Sequence, residues 1–450
     1  MQIIFIILLV LLETALIVLT LSNQRERVSW LRNRAITRAI EFVLLLVAVL
    51  LPIIHMKWRF TGALILLGVL FLIAGLSFLI KRKKTSGDVK RGRVITSGVM
   101  SVFMIGFALV PAFLFTNYNG LKTTGDYKVL ESSAVLTDEN RVDPFEGEGS
   151  KREVPVHFYY PDKEGSYPLI VFSHGAFGYY QSNYSTYAEL VSHGYVVAAL
   201  DHPHHAFFTK NSDGKLITVD TGFLSEAIDV TNGAVSMEDE YALFVKWMTL
   251  RTGDMSFVLD TIEAAKSTGA LSAAWHTENE AEILSVLAMT DTNHIGAIGH
   301  SMGGATAVSA GRTRSDVDAV IVLDGTMLDE ITGLSDGVCL VNEEPYPVPV
   351  LDFGKKTDYS DTELTKDELE SPHVNKYVIE HAKGGKQVLF GDCEHMDFTD
   401  LPLFSPQLAS MLGSNDIDHE AFMYRLNGLV LNWFDYYLKG IGTPDIQAEY

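Results

Sequence analysis

The sequence predicts an α/β protein, with a mostly parallel sheet covered by helices on both faces, placed after a module of four transmembrane helices. Three observations carry this prediction. Four long apolar stretches lie within the first 117 residues, the charge balance changes sign after them, and the remaining chain alternates apolar runs of strand length with helical segments.

The apolar stretches are residues 3–21, 39–54, 62–80 and 94–115. Most approach the roughly 20 residues that a helix needs to cross a hydrocarbon core of about 30 Å, although the second is short. Met1 and Gln2 supply no basic segment ahead of the first stretch, and three more stretches follow it, so a cleaved signal peptide fits less well. "NQRERVSWLRNRAITR" (23–38) holds five arginines and "KRKKTSGDVKRGR" (81–93) seven basic residues, whereas "HMKWRFT" holds only Lys57 and Arg59. Basic loops stay on the cytoplasmic side. The N-terminus and everything after Asn117 are therefore expected outside, in a multi-pass cell-membrane protein with an extracytoplasmic domain. Within the apolar stretches, Glu13 is expected to bond across the helices and Glu41 to snorkel toward the cytoplasmic interface.

Residues 1–117 carry 14 Lys and Arg against 4 Asp and Glu, while the rest of the chain carries 21 against 52. So acidic a domain suits solution and not nucleic acid, whose phosphates need a basic face. The layout that follows is a membrane module over 1–117, a linker and first strand over 118–152, and a catalytic domain over 153–440. Residues 203–293 exceed what one crossover helix needs and form a cap-like insertion. Cys339 and Cys393 are the only cysteines; one disulfide is permitted but not required, and no zinc-ribbon site can be built from them.

In the large domain "EVPVHFYYP" alternates at period two, as a half-buried edge strand does. "YPLIVFSHG", "GYVVAALDHP", "HIGAIGHS", "DAVIVLDG", "YPVPVLDFG" and "KQVLFGDCEH" are continuous apolar runs, the pattern of strands covered on both faces. "SNYSTYAELVSHG" reads as a helix with a serine N-cap and a glycine stop, and "DHEAFMYRLNGLVLNWFDYYLKG" as a closing amphipathic helix. Ligand sites on such sheets lie at the carboxyl ends of the strands.

"IGAIGHSMGGATA" (295–307) meets that edge. Gly299, Ser301 and Gly303 satisfy G-x-S-x-G, and the serine stands where a buried strand gives way to a helix. That context defines a nucleophile elbow: a strained turn exposes the hydroxyl, glycines let the backbone crowd together, and the helix N-terminus favours an oxyanion. A serine needs a base and the base an orienting acid, in the order Ser, Asp, His. Asp324 ends the next strand, with Asp352 at the end of "VPVLDFG" as the competing acid. His395 follows the last strand in a loop long enough to fold back, while Asp392 and Asp397 flank it too closely to orient it and shape the loop instead. Oxyanion donors are expected from the N–H groups of Met302, after the serine, and Ala176, in "FSHGAFG". The cluster "DHPHHA" (201–206) has no second group to complete a metal site. His174, Phe177, His202 and His300 are candidate pocket residues, and neither a metal nor a cofactor is expected.

These stretches, with "REVPVHFYYP", "RTGDMSFVLD" and "EHMDFTD", run in the order found in the platelet-activating factor acetylhydrolase family of α/β-hydrolases, which the chain resembles across roughly residues 124–440. The resemblance implies an α/β-hydrolase fold with Ser301 as nucleophile, Asp324 as acid, His395 as base, and Ala176 and Met302 as oxyanion donors. It also implies calcium-independent hydrolysis of short or oxidised acyl chains from phospholipid-like esters. Secreted members lack a four-helix membrane module, and "HGAFGYY" replaces a leucine-glycine version of the third-strand loop. The expected function is a membrane-anchored serine ester hydrolase acting on a lipid or small ester. The alternatives are an acyltransferase and a non-catalytic membrane sensor that binds a lipid or peptide.

Overall fold

The computed structural model describes residues 2–22, 26–52, 54–83, 86–335, 337–359 and 372–450. Arg25 and Lys84, two members of the basic loops, lie outside the described residues. The chain divides into two compact units, one of Met1–Gly120 with Pro402–Met411 and one of Leu121–Leu401 with Leu412–Tyr450.

The first unit contains helices Gln2–Ser22, Arg27–Leu50, Thr61–Lys81, Arg91–Ala108 and Val110–Leu114. Two differ from the apolar pattern. The second begins at Arg27, inside the stretch read as a basic loop, because Arg, Ala and Leu are all good helix formers. It stops at Leu50 because Leu51 precedes Pro52 and is forced into an extended conformation (φ −61°, ψ 139°). The fourth breaks at Leu109 and resumes as a short turn of helix containing Pro111. Among the described residues one helical stretch, Lys57–Lys81, is long and apolar enough to cross a membrane, and Ile6–Ser22 is a shorter apolar helix. Glu41 does not snorkel. It is fully buried and accepts from Arg38 Nη1 at 2.5 Å, while Arg38 also pairs with Glu13 and donates to Ser101 Oγ at 2.6 Å. Pro402–Met411 joins this unit through hydrogen bonds from Thr116 N to Phe404 O (2.7 Å) and from Ser405 Oγ to Leu114 O (2.7 Å).

The second unit is built on strands β1 (Val129–Val142), β2 (Lys151–Pro161), β3 (Tyr167–Ser173), β4 (Val196–Leu200), β5 (Phe208–Lys210), β6 (Leu216–Thr218), β7 (Trp275–His276), β8 (Thr290–His300), β9 (Val317–Leu323), β10 (Ile331–Ser335), β11 (Val338–Val341), β12 (Val350–Lys355) and β13 (Lys386–Phe390). Among the described residues nine of these form one sheet in the order β13-β12-β9-β8-β3-β4-β2-β1-β7, with β5-β6 and β10-β11 as separate hairpins. The pairings from β4 through β13 are parallel, and β2, β1 and β7 extend the sheet antiparallel. Every residue of β3 and β4 is buried, as their unbroken apolar runs require. β2 is not an edge strand: the long β1 pairs along its outer side and β4 along its inner side, so most of it is buried.

The stretch expected to be a cap resolves into several parts. The β5-β6 hairpin and helix Thr221–Thr231 are peripheral, but the 32-residue helix Met237–Thr268 buries Trp247, Met255, Val258 and Ile262 in the main core. Its apolar face is interrupted by charged residues, which hides its role as a core crossover helix from a periodicity count. Helix Tyr184–Ser192 is N-capped by Asn183 without a side-chain bond and not by serine; Gly194 (φ 83°) ends it. Asp418 caps the closing helix His419–Lys439 by accepting from Ala421 N.

Candidate active site

β8 delivers Ser301 to the carboxyl edge of the sheet. Ser301 has φ 54° and ψ −127°, a conformation L-residues rarely adopt, and helix Met302–Thr313 starts immediately after it. The turn is tight enough that a Cβ on Gly299 would lie 2.1 Å from Gly303 O, and one on Gly303 would lie 2.0 Å from Ser173 O. Only glycine fits at either motif position. Ser301 N donates to Leu323 O (2.9 Å), which ties the elbow to the end of β9.

The next residue of that strand end is Asp324, itself at φ 48°, whose N–H bonds Phe353 O at 2.8 Å. Its Oδ2 lies 2.6 Å from His395 Nδ1. Burial would raise the Asp324 carboxyl, but the hydrogen bond and charge of His395 outweigh it and hold the group below the usual carboxylate range. Asp352 pairs in register with Val322, one turn of the pleat below Asp324, and is turned to other partners. It accepts from Gln387 Nε2 (2.9 Å) and Asn375 Nδ2 (3.1 Å), and burial pushes its carboxyl up to about 7. The His395 loop is pinned by Asp397, which accepts from Glu394 N (2.8 Å), Ser414 Oγ (2.5 Å) and Asn415 N (3.1 Å). His300 lies under the imidazole, ring centroids 4.5 Å apart, with Nε2 3.1 Å from His395 O. Burial, then the charge of His395, pushes His300 down to about 3, so it stays neutral beside the base. Ser301 Oγ has no hydrogen-bond partner among the described residues; serine–base contacts commonly tighten only when substrate is bound.

The loop after β3 closes on the serine from the other side. A Cβ on Gly175 would come 3.1 Å from Ser301 Cβ and 3.0 Å from His300 Nδ1, a tight fit that the bare glycine backbone avoids. Among the described residues neither Ala176 N–H nor Met302 N–H has an acceptor, and both flank the elbow. Phe177 (φ 60°) is half-buried against Phe223 and ties the loop down through its N–H to His205 O (3.0 Å). His174 and His202 have no accessible surface, so they back the loop and do not line a pocket, because polar groups that deep must be spent on internal hydrogen bonds. His202 bridges Asp254 Oδ2 (3.0 Å) and Ser173 Oγ (2.8 Å), and burial pushes it down to about 3. Asp201 and His205 are likewise buried, Asp201 accepting from Thr209 Oγ1 (2.7 Å), while His204 is partly exposed 3.4 Å from Glu146; no metal-holding group of three or more ligands occurs among the described residues.

Pattern reading passes over a buried charged layer behind this loop. Arg152 donates to Asp254 (2.7 Å) and Asp143 (2.9 Å), and Arg251 donates to the carbonyls of His174 (2.6 Å) and Gly175 (3.3 Å). The available signal was "RTGDM": an Arg and an Asp three apart on a helix whose neighbours are apolar, and so on a face that must be buried.

Residues 152–432 match the family described as "Platelet-activating factor acetylhydrolase, isoform II". Among solved structures, a ferulic acid esterase from Streptomyces cinnamoneus is similar at 20% identity and a TM-score of 0.51, over 72% of this chain and 95% of that one. A dienelactone hydrolase-like promiscuous phosphotriesterase from metagenomic libraries aligns at 16% identity and a TM-score of 0.41, over 69% of this chain and 99% of that one.

Proposed function

The chain belongs to the platelet-activating factor acetylhydrolase isoform II family, and from this premise we propose that it is a membrane-anchored serine ester hydrolase working outside the cytoplasm. The carrying observation is the 2.6 Å contact between His395 Nδ1 and Asp324 Oδ2 at the strand edge that presents Ser301. Asp324 fixes the proton on Nδ1, which leaves Nε2 free to take the serine proton. Ser301 Oγ then attacks the ester carbonyl, and the tetrahedral oxyanion is held by the N–H groups of Ala176 and Met302. His395 returns the proton to the departing alcohol, and in the second half it activates the water that cleaves the acyl-enzyme. No step calls for a metal or cofactor.

The substrate class proposed is a short-acyl or phospholipid-like ester. Multi-pass anchoring is supported by an inverted burial pattern in the first unit. Leu72, Leu76, Val99, Phe103 and Phe107 are more than half exposed, while Glu13, Arg38, Glu41 and Ser101 are buried. An apolar exterior over a buried polar set is the arrangement that a lipid environment favours.

The test is the full-length protein in detergent or liposomes, with p-nitrophenyl acetate, short-acyl and long-acyl phosphatidylcholine, and a fluorophosphonate probe. The expected result is Ser301-dependent labelling and turnover, greatest on the short acyl chain. Activity of Ser301→Ala near wild type would sink the mechanism. Absence of labelling would favour a non-catalytic sensor, and acyl transfer to an added alcohol in place of hydrolysis would favour a transferase.

A further inference from the structure

We propose that Arg251 and His174 are positioning residues that aim and polarise the Ala176 N–H by gripping the other end of its peptide unit, the Gly175 carbonyl. This rests on the reading of Ala176 as an oxyanion donor. In a planar trans peptide the C=O of residue 175 and the N–H of residue 176 point in opposite directions. Whatever fixes the oxygen therefore fixes the hydrogen.

Gly175 O accepts three hydrogen bonds, from His174 Nδ1 (2.6 Å), Gly178 N (3.1 Å) and Arg251 Nη2 (3.3 Å). Arg251 Nη1 also donates to His174 O at 2.6 Å, so one guanidinium spans two consecutive carbonyls of the loop. The His174 tautomer follows from its partners. His202 N–H donates to His174 Nε2 (3.2 Å), which must therefore be unprotonated, and the ring proton sits on Nδ1, facing Gly175 O. Burial, reinforced by the Arg251 charge, holds His174 well below the usual histidine range, so this tautomer persists as a neutral donor. Arg251 is fully buried and makes no salt bridge among the described residues; its Nη groups go to the loop and its Nε faces His205 Nδ1 at 3.3 Å. A buried cation spent on backbone carbonyls, and not on a carboxylate, leaves its field directed along that peptide toward the N–H.

Acylation and deacylation each pass through a tetrahedral oxyanion, so misaiming this donor slows both steps and leaves KM nearly unchanged. Removing an oxyanion donor outright costs about 10²–10³ in kcat, and loosening its aim should cost roughly 10–10². In full-length protein, Arg251→Lys and His174→Leu are expected to lower kcat on p-nitrophenyl acetate by about 10- to 100-fold, with KM within about threefold of wild type. Affinity for a trifluoromethyl ketone, which forms a tetrahedral oxyanion, should fall in parallel with kcat. His174→Asn keeps an amide donor near the Nδ1 position and should stay within about threefold in kcat. Thermal unfolding reports which variants fold. If the lysine and leucine variants do not, the asparagine variant decides: a loss in it as large as that expected for His174→Leu overturns the proposal. So does a folded Arg251→Lys or His174→Leu with kcat within twofold, or a loss confined to KM. If wild type itself shows no Ser301-dependent turnover, the ester-hydrolase reading fails, and this inference falls with it.

Discussion

Replacing Asp324 by Asn should nearly abolish turnover while leaving the fold intact, whereas the same change at Asp352 should be almost silent. The Asp324 carboxylate touches His395 Nδ1 at 2.6 Å, and its side chain is only 8% exposed. Unit charges about 4 Å apart at an effective dielectric of about 20 interact by roughly 4 kcal/mol, equivalent to about 10³ in rate for an imidazolium that exists only along the reaction path. His395 is 39% exposed, so solvent screens part of this, and the charge alone accounts for about 10²–10³. A second loss comes from the introduced side-chain amide, which can donate to Nδ1 and move the ring proton to Nε2, where it faces the serine it should deprotonate. Together these predict a fall of about 10³–10⁴ in kcat/KM. Asp352 is satisfied by Gln387 and Asn375, and burial pushes its carboxyl up to about 7, so it carries much less charge at pH 7 than an ordinary carboxylate. Asp352→Asn should stay within about threefold. Initial rates on p-nitrophenyl acetate, with near-ultraviolet circular dichroism as the control for folding, decide between them. Equal damage from the two substitutions, or an Asp324→Asn enzyme within tenfold of wild type, would refute the assignment of the acid.

Gly303→Ala places a methyl 2.0 Å from the Ser173 carbonyl and should cost about 3 kcal/mol or more, seen as a lowered unfolding midpoint together with loss of activity. Burial pushes the Asp400 carboxyl up to about 7, against about 4 in an unfolded chain. A raised carboxyl costs nothing below pH 4 and progressively more between pH 4 and 7, up to about 4 kcal/mol above that. Asp400→Asn should therefore gain stability relative to wild type as pH rises through that window, and a gain that did not depend on pH would contradict the cause given. Topology can be read with a membrane-impermeant maleimide on intact cells, because native Cys339 and Cys393 are buried and free. Asp213→Cys in the catalytic domain should label from outside, and Lys83→Cys in the basic loop only after lysis.

Much of the site was legible because each of its parts obeys a local rule. Ser301 sits between a buried strand and a helix, Asp324 ends the following strand, and His395 follows the last one, so strand ends alone bring them to one edge. The competition between Asp324 and Asp352 was not legible, since both end apolar runs. Register, which sequence does not encode locally, puts Asp324 and not Asp352 against His395: Asp352 lies opposite Val322, two residues short of Asp324. β2 reads as an edge strand because its period-two pattern reflects local side-chain identity, while its actual place depends on pairing with β1, the strand of the 118–152 segment, whose polar sequence "VLESSAVLTDENRV" does not reveal how far it runs along β2. In the first unit the apolar runs mark helices, but the start of Arg27–Leu50 is hidden because arginines are compatible with both loop and helix.

The least readable stretch explains the most about the loop opposite the serine. Ninety residues between β4 and β8 look excessive for a crossover, and a cap is the natural inference from length alone. The long helix Met237–Thr268 instead runs through the core, and its Arg251 and Asp254, one turn apart, reach back under the β3 loop. Burying four charged groups, Arg152, Asp143, Asp254 and Arg251, is expensive unless each is paired or hydrogen-bonded, and here each is. Apolar residues of similar volume would stabilise such a core at least as well, so stability does not account for the layer. Arg251 supplies what an apolar residue could not, two fixed donors aimed at the backbone carbonyls of His174 and Gly175. The crossover helix thus packs in the core and, through Arg251, holds the β3 loop from behind.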